Sequence, residues 1–202
     1  EYNIINDNTE LCNLSLVDFA QKTASEAPAP GGGSVSAYLG SLGISLGTMV
    51  ANLSSHKRGW DGRWEKFSNI AEKGQKHIKK LLELVDKDTE SFNQIMRAFR
   101  LPESDSKEKK FKEAAILEAT IHAIEIPLEI MKTSLESMDI IKEMAKKGNP
   151  NSVSDAGVGA LCARSAVIGG YLNVKINCKD LTDKKLVNEF LNKAEKIKES
   201  AI

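Results

Sequence analysis

The sequence predicts an all-α fold, a bundle of long amphipathic helices around two inner helices rich in small residues. Three observations carry this. Apolar residues recur every third or fourth position along most of the chain, and no run alternates convincingly as a strand does. Two segments, 35–53 and 155–172, are poor in charge and carry glycines at helical intervals. Strong stop signals, Leu101-Pro102 and Gly148-Asn149-Pro150, divide the rest into helix-length pieces.

Taken in order, Ser15-Leu-Val-Asp18 reads as the cap of a short amphipathic helix to about Ser25. Pro28 and Pro30 make the next segment a loop. Three glycines follow, and Ser34 is the expected N-cap of the first inner helix. Gly40, Gly43 and Gly47 would let neighbouring helices approach it. No Asp, Glu, Lys or Arg occurs from Ala27 to His56, so a membrane span is considered. Ser36, Ser41, Ser45, Thr48 and Asn52 dilute the apolarity and no basic flank precedes it. A central helix is the expectation instead, since one apolar on all sides belongs inside a soluble protein.

Residues 62–100 read as one very long helix, or two joined by a bend, through Phe67, Ile70, Leu81, Val85, Phe92, Ile95 and Phe99. A second long pattern runs over 106–147, where Pro127 is expected to kink or break it. Ser152 or Ser154 caps the second inner helix, which has Arg164 as its only interior charge. Residues 173–177 have mixed character, and Thr182 is the expected cap of the last helix. The whole chain, 1–202, is expected to form one helical domain, with a polar extension over 1–13.

Composition excludes several classes. Lys+Arg and Asp+Glu both number 28, so the basic excess of a nucleic-acid binder is missing. Near-zero net charge is compatible with a surface partly covered by self-association. Cys12, Cys162 and Cys178 lie far apart with no CxxC pair, which gives no support to a zinc site. An odd count, with a first segment too polar for a signal peptide, points to a reducing, cytoplasmic setting. No His/carboxylate spacing suggests a metal.

Four groups could carry chemistry. Gly31, Gly32, Gly33 and Ser34 precede an inner helix, where free N–H groups could dock an anion or polar ring; a tight entry loop explains them equally well. The loop lacks the Gly-Lys-Ser/Thr ending of a Walker loop. Asp86, Asp88 and Glu90 form the second group. Asp88 lies one turn before Phe92 and could serve as a general base, although such carboxylates are more often solvated. Asp155 opens the second inner helix, where capping is its default role. His56, Lys57 and Arg58 end the first inner helix and could hold an anionic tail, or only complement the helix dipole. His77 and His122 fall within helical patterns as packing residues.

Together the segments resemble a known family, the cyclodeaminase domain of formiminotransferase-cyclodeaminase and the free-standing methenyltetrahydrofolate cyclohydrolases. The resemblance rests on Ala29-Pro-Gly-Gly-Gly-Ser34, Met49-Val-Ala-Asn-Leu-Ser54, Asp86-Lys-Asp-Thr-Glu-Ser-Phe92, Leu101-Pro102, Ile126-Pro-Leu128, 148–159 and Asn173-Val-Lys-Ile-Asn177. It implies an all-helical homodimer acting on tetrahydrofolates bridged or substituted at N5 and N10, with no metal and no prosthetic group. By position it implies that Asp88 is the catalytic aspartate and Asp155 a second acidic group. Gly31 to Ser34 would line the pterin or aminobenzoate region, and Asn177 would fall in the binding region. Lys57 and Arg58 would meet the glutamate tail. The basic stretch departs from the family, with His56 in place of a glycine and Gly59 in place of a basic residue. Cyclohydrolase is expected ahead of cyclodeaminase, because no formiminotransferase domain is attached. A non-catalytic folate-binding or partner-binding module is the further alternative.

Overall fold

The computed structural model describes residues 10–202, and these are helical with no strand among them. Six α-helices follow one another: α1 (Leu16–Ala24), α2 (Gly32–Ser55), α3 (Trp64–Phe99), α4 (Ser106–Lys147), α5 (Val153–Asn177) and α6 (Lys184–Ser200). Residues 1–9 of the expected N-terminal extension lie outside the described residues. Leu11, which the expected 1–13 extension includes, is buried in the core, and its N–H donates to Asp86 Oδ1 at 2.6 Å.

Residues 62–100 contain one uninterrupted helix of 36 residues after a short 3-10 turn. It runs antiparallel to α2, with Gly74 beside Thr48 and Asp88 beside Gly33. α4 returns along α3, and ion pairs Lys66–Glu143 (3.1 Å) and Lys80–Glu129 (3.4 Å) mark the register. α5 lies antiparallel on α2. A Cβ added to Gly43 would come within 2.8 Å of the Gly159 carbonyl oxygen, and one on Gly159 within 2.8 Å of the Gly43 carbonyl oxygen. Only glycine at both positions allows these backbones to touch. Ile44, Leu81, Leu84, Val85 and Ile130 are 0–1% exposed where α2, α3 and α4 meet. α6 closes the far side through Phe190 and Ala194.

Several expectations need correction. α2 begins at Gly32, with Gly31 at the N-cap position and hence no side-chain cap; Ser34 lies inside the first turn, and its hydroxyl donates to Asp88 instead. α5 runs through Asn177, so 173–177 is helical. Ser152 occupies its cap position without a side-chain bond. Asp183, not Thr182, caps α6; its Oδ1 accepts from the N–H groups of Lys185 (2.9 Å) and Leu186 (3.1 Å). A carboxylate outcompetes a hydroxyl there because the helix dipole favours negative charge.

The inner helices are also less central than expected. α2 is long and apolar enough to cross a membrane by length and composition alone, yet 61% of its most apolar window is buried within the chain. Its remaining face exposes Leu42, Met49 and Leu53, and α5 exposes Val158, Leu161, Leu172 and Ile176.

Pro127 does not break α4. Proline lacks the N–H that would bond the carbonyl four residues back, which is that of Ala123. Asn177 Nδ2 supplies the missing donor to that carbonyl at 2.7 Å. Asn177→Leu should therefore lower stability by roughly 1–2 kcal/mol, the scale for a buried acceptor left unpaired. Denaturant unfolding checks this, and an unchanged midpoint would remove the repair role.

Candidate functional site

The structure separates the three acidic residues of the second candidate group. Asp86 holds the Leu11 N–H. Glu90 pairs with Arg97 on the surface. Asp88 turns inward to the start of α2, where its Oδ2 accepts the Ser34 hydroxyl at 2.9 Å. The Ser34 backbone N–H also bonds this carboxylate, and Thr89 Oγ1 lies 3.4 Å from Ser34 Oγ. Ser34 is fully buried. Among the described residues no cation pairs with Asp88.

Gly33 makes this geometry possible. A Cβ built there would fall 2.0 Å from Asp88 Oδ1, so any side chain would displace the carboxylate. Helix α2 thus presents its first N–H groups, the positive end of its dipole, to a largely buried acid. Burial pushes the Asp88 carboxyl above its ordinary value of 3.8, and the two Ser34 bonds oppose that shift without cancelling it. A carboxyl held this way takes up and releases protons closer to neutral pH than a solvated one. Beside it Gly31 is half-buried and Gly32 exposed, which leaves an open floor.

Asn173 borders this floor. Its Nδ2 would lie 3.2 Å from a Cβ on Gly32, while it donates to the Gly169 carbonyl at 2.9 Å. Sequence reasoning passed over Asn173 as a site residue, although it opens the segment that ends at Asn177. Its position one turn before Asn177 was the available signal. Asn177 itself is committed to the Ala123 carbonyl.

The other expected residues lie elsewhere. Asp155 is half-buried in the first turn of α5, whose other end carries Asn173. Asp155 is thus about 27 Å along the helix from the Asp88 end, at 1.5 Å per residue. Lys57 and Arg58 follow the C-terminus of α2, also distant from Asp88. Lys57 Nζ donates to Asn149 Oδ1 at 3.3 Å and lies 4.5 Å from the Trp60 ring, while Arg58 is exposed. His56 lines a cavity of about 620 Å³ with Met49, Leu53 and Gln75. One chain therefore joins Gly31–Ser34 with Asp88 at one end, and gathers Asp155, Lys57 and Arg58 at the other.

A helical bundle with an acid held at a glycine-lined helix start defines a class, and comparison with known proteins agrees. Residues 15–196 match the model of the formiminotransferase-cyclodeaminase family. The chain belongs to that family, and is with it an enzyme. It is 34% identical over 183 residues to methenyltetrahydrofolate cyclohydrolase of Methylorubrum extorquens, covering 91% of this chain and 88% of that one. It is 34% identical over 179 residues to formimidoyltransferase-cyclodeaminase of Gallus gallus, where the match spans 89% of this chain but 33% of the relative. The solved formiminotetrahydrofolate cyclodeaminase of Thermotoga maritima shares the fold with a TM-score of 0.81 and 26% identity, over 94% of this chain and 90% of that one.

Proposed function

We propose that the protein hydrolyses 5,10-methenyltetrahydrofolate to 10-formyltetrahydrofolate, with Asp88 as its acid–base group. The observation that carries this is the largely buried Asp88 carboxylate, raised in pKa and fixed by Ser34 at the open glycine floor. The methenyl bridge is an amidinium cation, and a carboxylate in a low-dielectric site favours positive charge beside it. Water adds to the bridging carbon while Asp88 takes its proton, and the C=N electrons settle on N5. Asp88 then protonates N5, the carbinol oxygen gives its proton to solvent, and the N5–C bond breaks. One water is consumed and one proton released overall.

The near-complete coverage of the free-standing cyclohydrolase relative supports this direction. The likeness to the Thermotoga maritima cyclodeaminase supports a second reading, in which N10 attacks a formimino carbon on N5 and ammonia leaves. The same carboxylate would then protonate the departing nitrogen. Loss of methenyltetrahydrofolate absorbance beyond the uncatalysed rate supports the first. Ammonia release from formiminotetrahydrofolate, without that loss, replaces it with the second. Tight folate binding with neither would make the protein a non-catalytic module.

The homodimer belongs to the same proposal. Val158, Leu161, Leu172 and Ile176 form one exposed stripe on α5 beside Leu42, Met49 and Leu53 of α2, a contiguous apolar face of the kind that marks an interface. A second copy suits it as occupant because the stripe is almost free of charge and a two-fold contact is self-complementary. Antiparallel pairing of two copies would also carry Asp155, Lys57 and Arg58 of one toward Asp88 of the other. Light scattering should give twice the 22.1 kDa chain mass, and Leu161→Arg should give monomers. A monomeric wild type would remove the dimer.

A further inference from the structure

α3 and α4 extend beyond the start of α2. α2 begins level with Asp88, whereas α3 continues to Phe99. Residues five turns apart share one line along a helix. Phe92 therefore repeats Gly74, which abuts Thr48 of α2, and Phe99 repeats Leu81, which lies against Gly40. On α4, Lys112 repeats Ile130, buried in one cluster with Ile44 of α2. Ile116 repeats Ser134, whose hydroxyl faces Gly40.

The faces that grip α2 lower down thus continue past its first residue. There Phe92, Met96 and Phe99 are 40%, 38% and 54% exposed. Two helices continuing past the first residue of a third would border a slot in line with it, here beyond the buried Pro30, with the glycine floor and Asp88 at its inner end. At its outer end Lys112 keeps only 15% of its side chain exposed and pairs at 3.3 Å with Glu103, itself 62% exposed. The α3–α4 register puts Lys112 level with the last turn of α3, about 14 Å from Asp88 along the bundle.

We propose that this slot takes the aminobenzoyl-glutamate half of the substrate, with Lys112 pairing the glutamate carboxylate in place of Glu103. The inference rests on the folate reading above. With N5 and N10 reacting at Asp88, the ring on N10 must extend from that point. A benzoyl ring plus one amino acid spans about 10 Å from ordinary bond lengths, and the lysine stem covers the remainder. Phe92, Met96 and Phe99 offer an apolar wall for the ring. The carboxylate goes to Lys112 because it is a largely buried cation beside Phe99 at this end of α3 and α4, whereas Lys57 and Arg58 of the same chain are at the other end of the bundle.

The test compares methenyltetrahydrofolate with its tail-less methenyltetrahydropteroate analogue in the full chain. Lys112→Met should lower the ratio of kcat/KM for the two substrates about tenfold, the scale of one charge-assisted hydrogen bond, with the loss in KM. Phe92→Ala should raise KM for both substrates. Calorimetry of p-aminobenzoylglutamate against p-aminobenzoate reads the slot without turnover, and Lys112→Met should abolish the preference for the former. An inactive protein that keeps this Lys112-dependent preference would overturn the folate chemistry and leave the slot standing. An active protein whose ratio and preference ignore Lys112, or respond instead to Lys57→Met or Arg58→Met, would overturn the slot. Absence of both turnover and binding would overturn both.

Discussion

Asp88→Asn should reduce turnover by about 10²–10⁴-fold, the contribution of a general acid–base group, while the helical circular dichroism is unchanged, because the amide keeps the shape and loses the proton transfer. The same variant should not be destabilised at neutral pH. The Asp88 carboxyl titrates above its ordinary 3.8 in the folded chain. The native state therefore binds more protons than the unfolded state over the window from about that value up to the folded pKa, and stability falls as pH rises through it. Asparagine has no such titration. Unfolding midpoints should favour the variant at pH 7, with the gap closing as pH falls through that window and gone below the ordinary carboxylate range. Near-wild-type turnover would remove Asp88 from the chemistry, and a gap that widens in acid would contradict the direction of its shift.

Gly33→Ala should be nearly as damaging to activity with one methyl group. Its Cβ would be placed 2.0 Å from Asp88 Oδ1, inside any tolerable contact. The carboxylate must rotate away, breaking its 2.9 Å bond from Ser34. Activity should drop at least a hundredfold, consistent with the sensitivity of catalysis to misplacement of about 1 Å. Stability should fall by roughly 1–3 kcal/mol, as for overpacking. Gly62→Ala is the control, since an added Cβ there meets nothing within 4 Å. Equal effects of the two substitutions would mean that the Gly33 contact has no special role.

The helices were legible in the sequence because their signals are local. The Ser15 cap, the periodicity of α3 and α4, and the stop at Gly148-Asn149-Pro150 all act within a few residues. What escaped were interactions between distant residues. Ser34 looked like a cap because hydroxyls cap helices, but its partner is Asp88, 54 positions away. The Pro127 break is repaired by Asn177, whose bond to the Ala123 carbonyl also spans 54 positions. The small-residue helices looked central because low charge signals burial, and that pattern cannot separate a core face from an exposed apolar one.

The site was legible in part for the same reason. Three neighbouring acids look alike in sequence, and only the path of α2 selects Asp88. Asp155 carried the right chemical type and segment, but a helix start is local information. Its distance from Asp88 follows from the antiparallel packing of α2 and α5, which the Gly43–Gly159 contact sets.

The most direct test of the central claim is absorbance decay of 5,10-methenyltetrahydrofolate at one fixed pH, with wild-type and Asp88→Asn protein side by side. Decay well above the uncatalysed rate for the wild type, and at that background rate for the variant, is the predicted result. Wild-type decay no faster than background, or equal decay for both proteins, would contradict it.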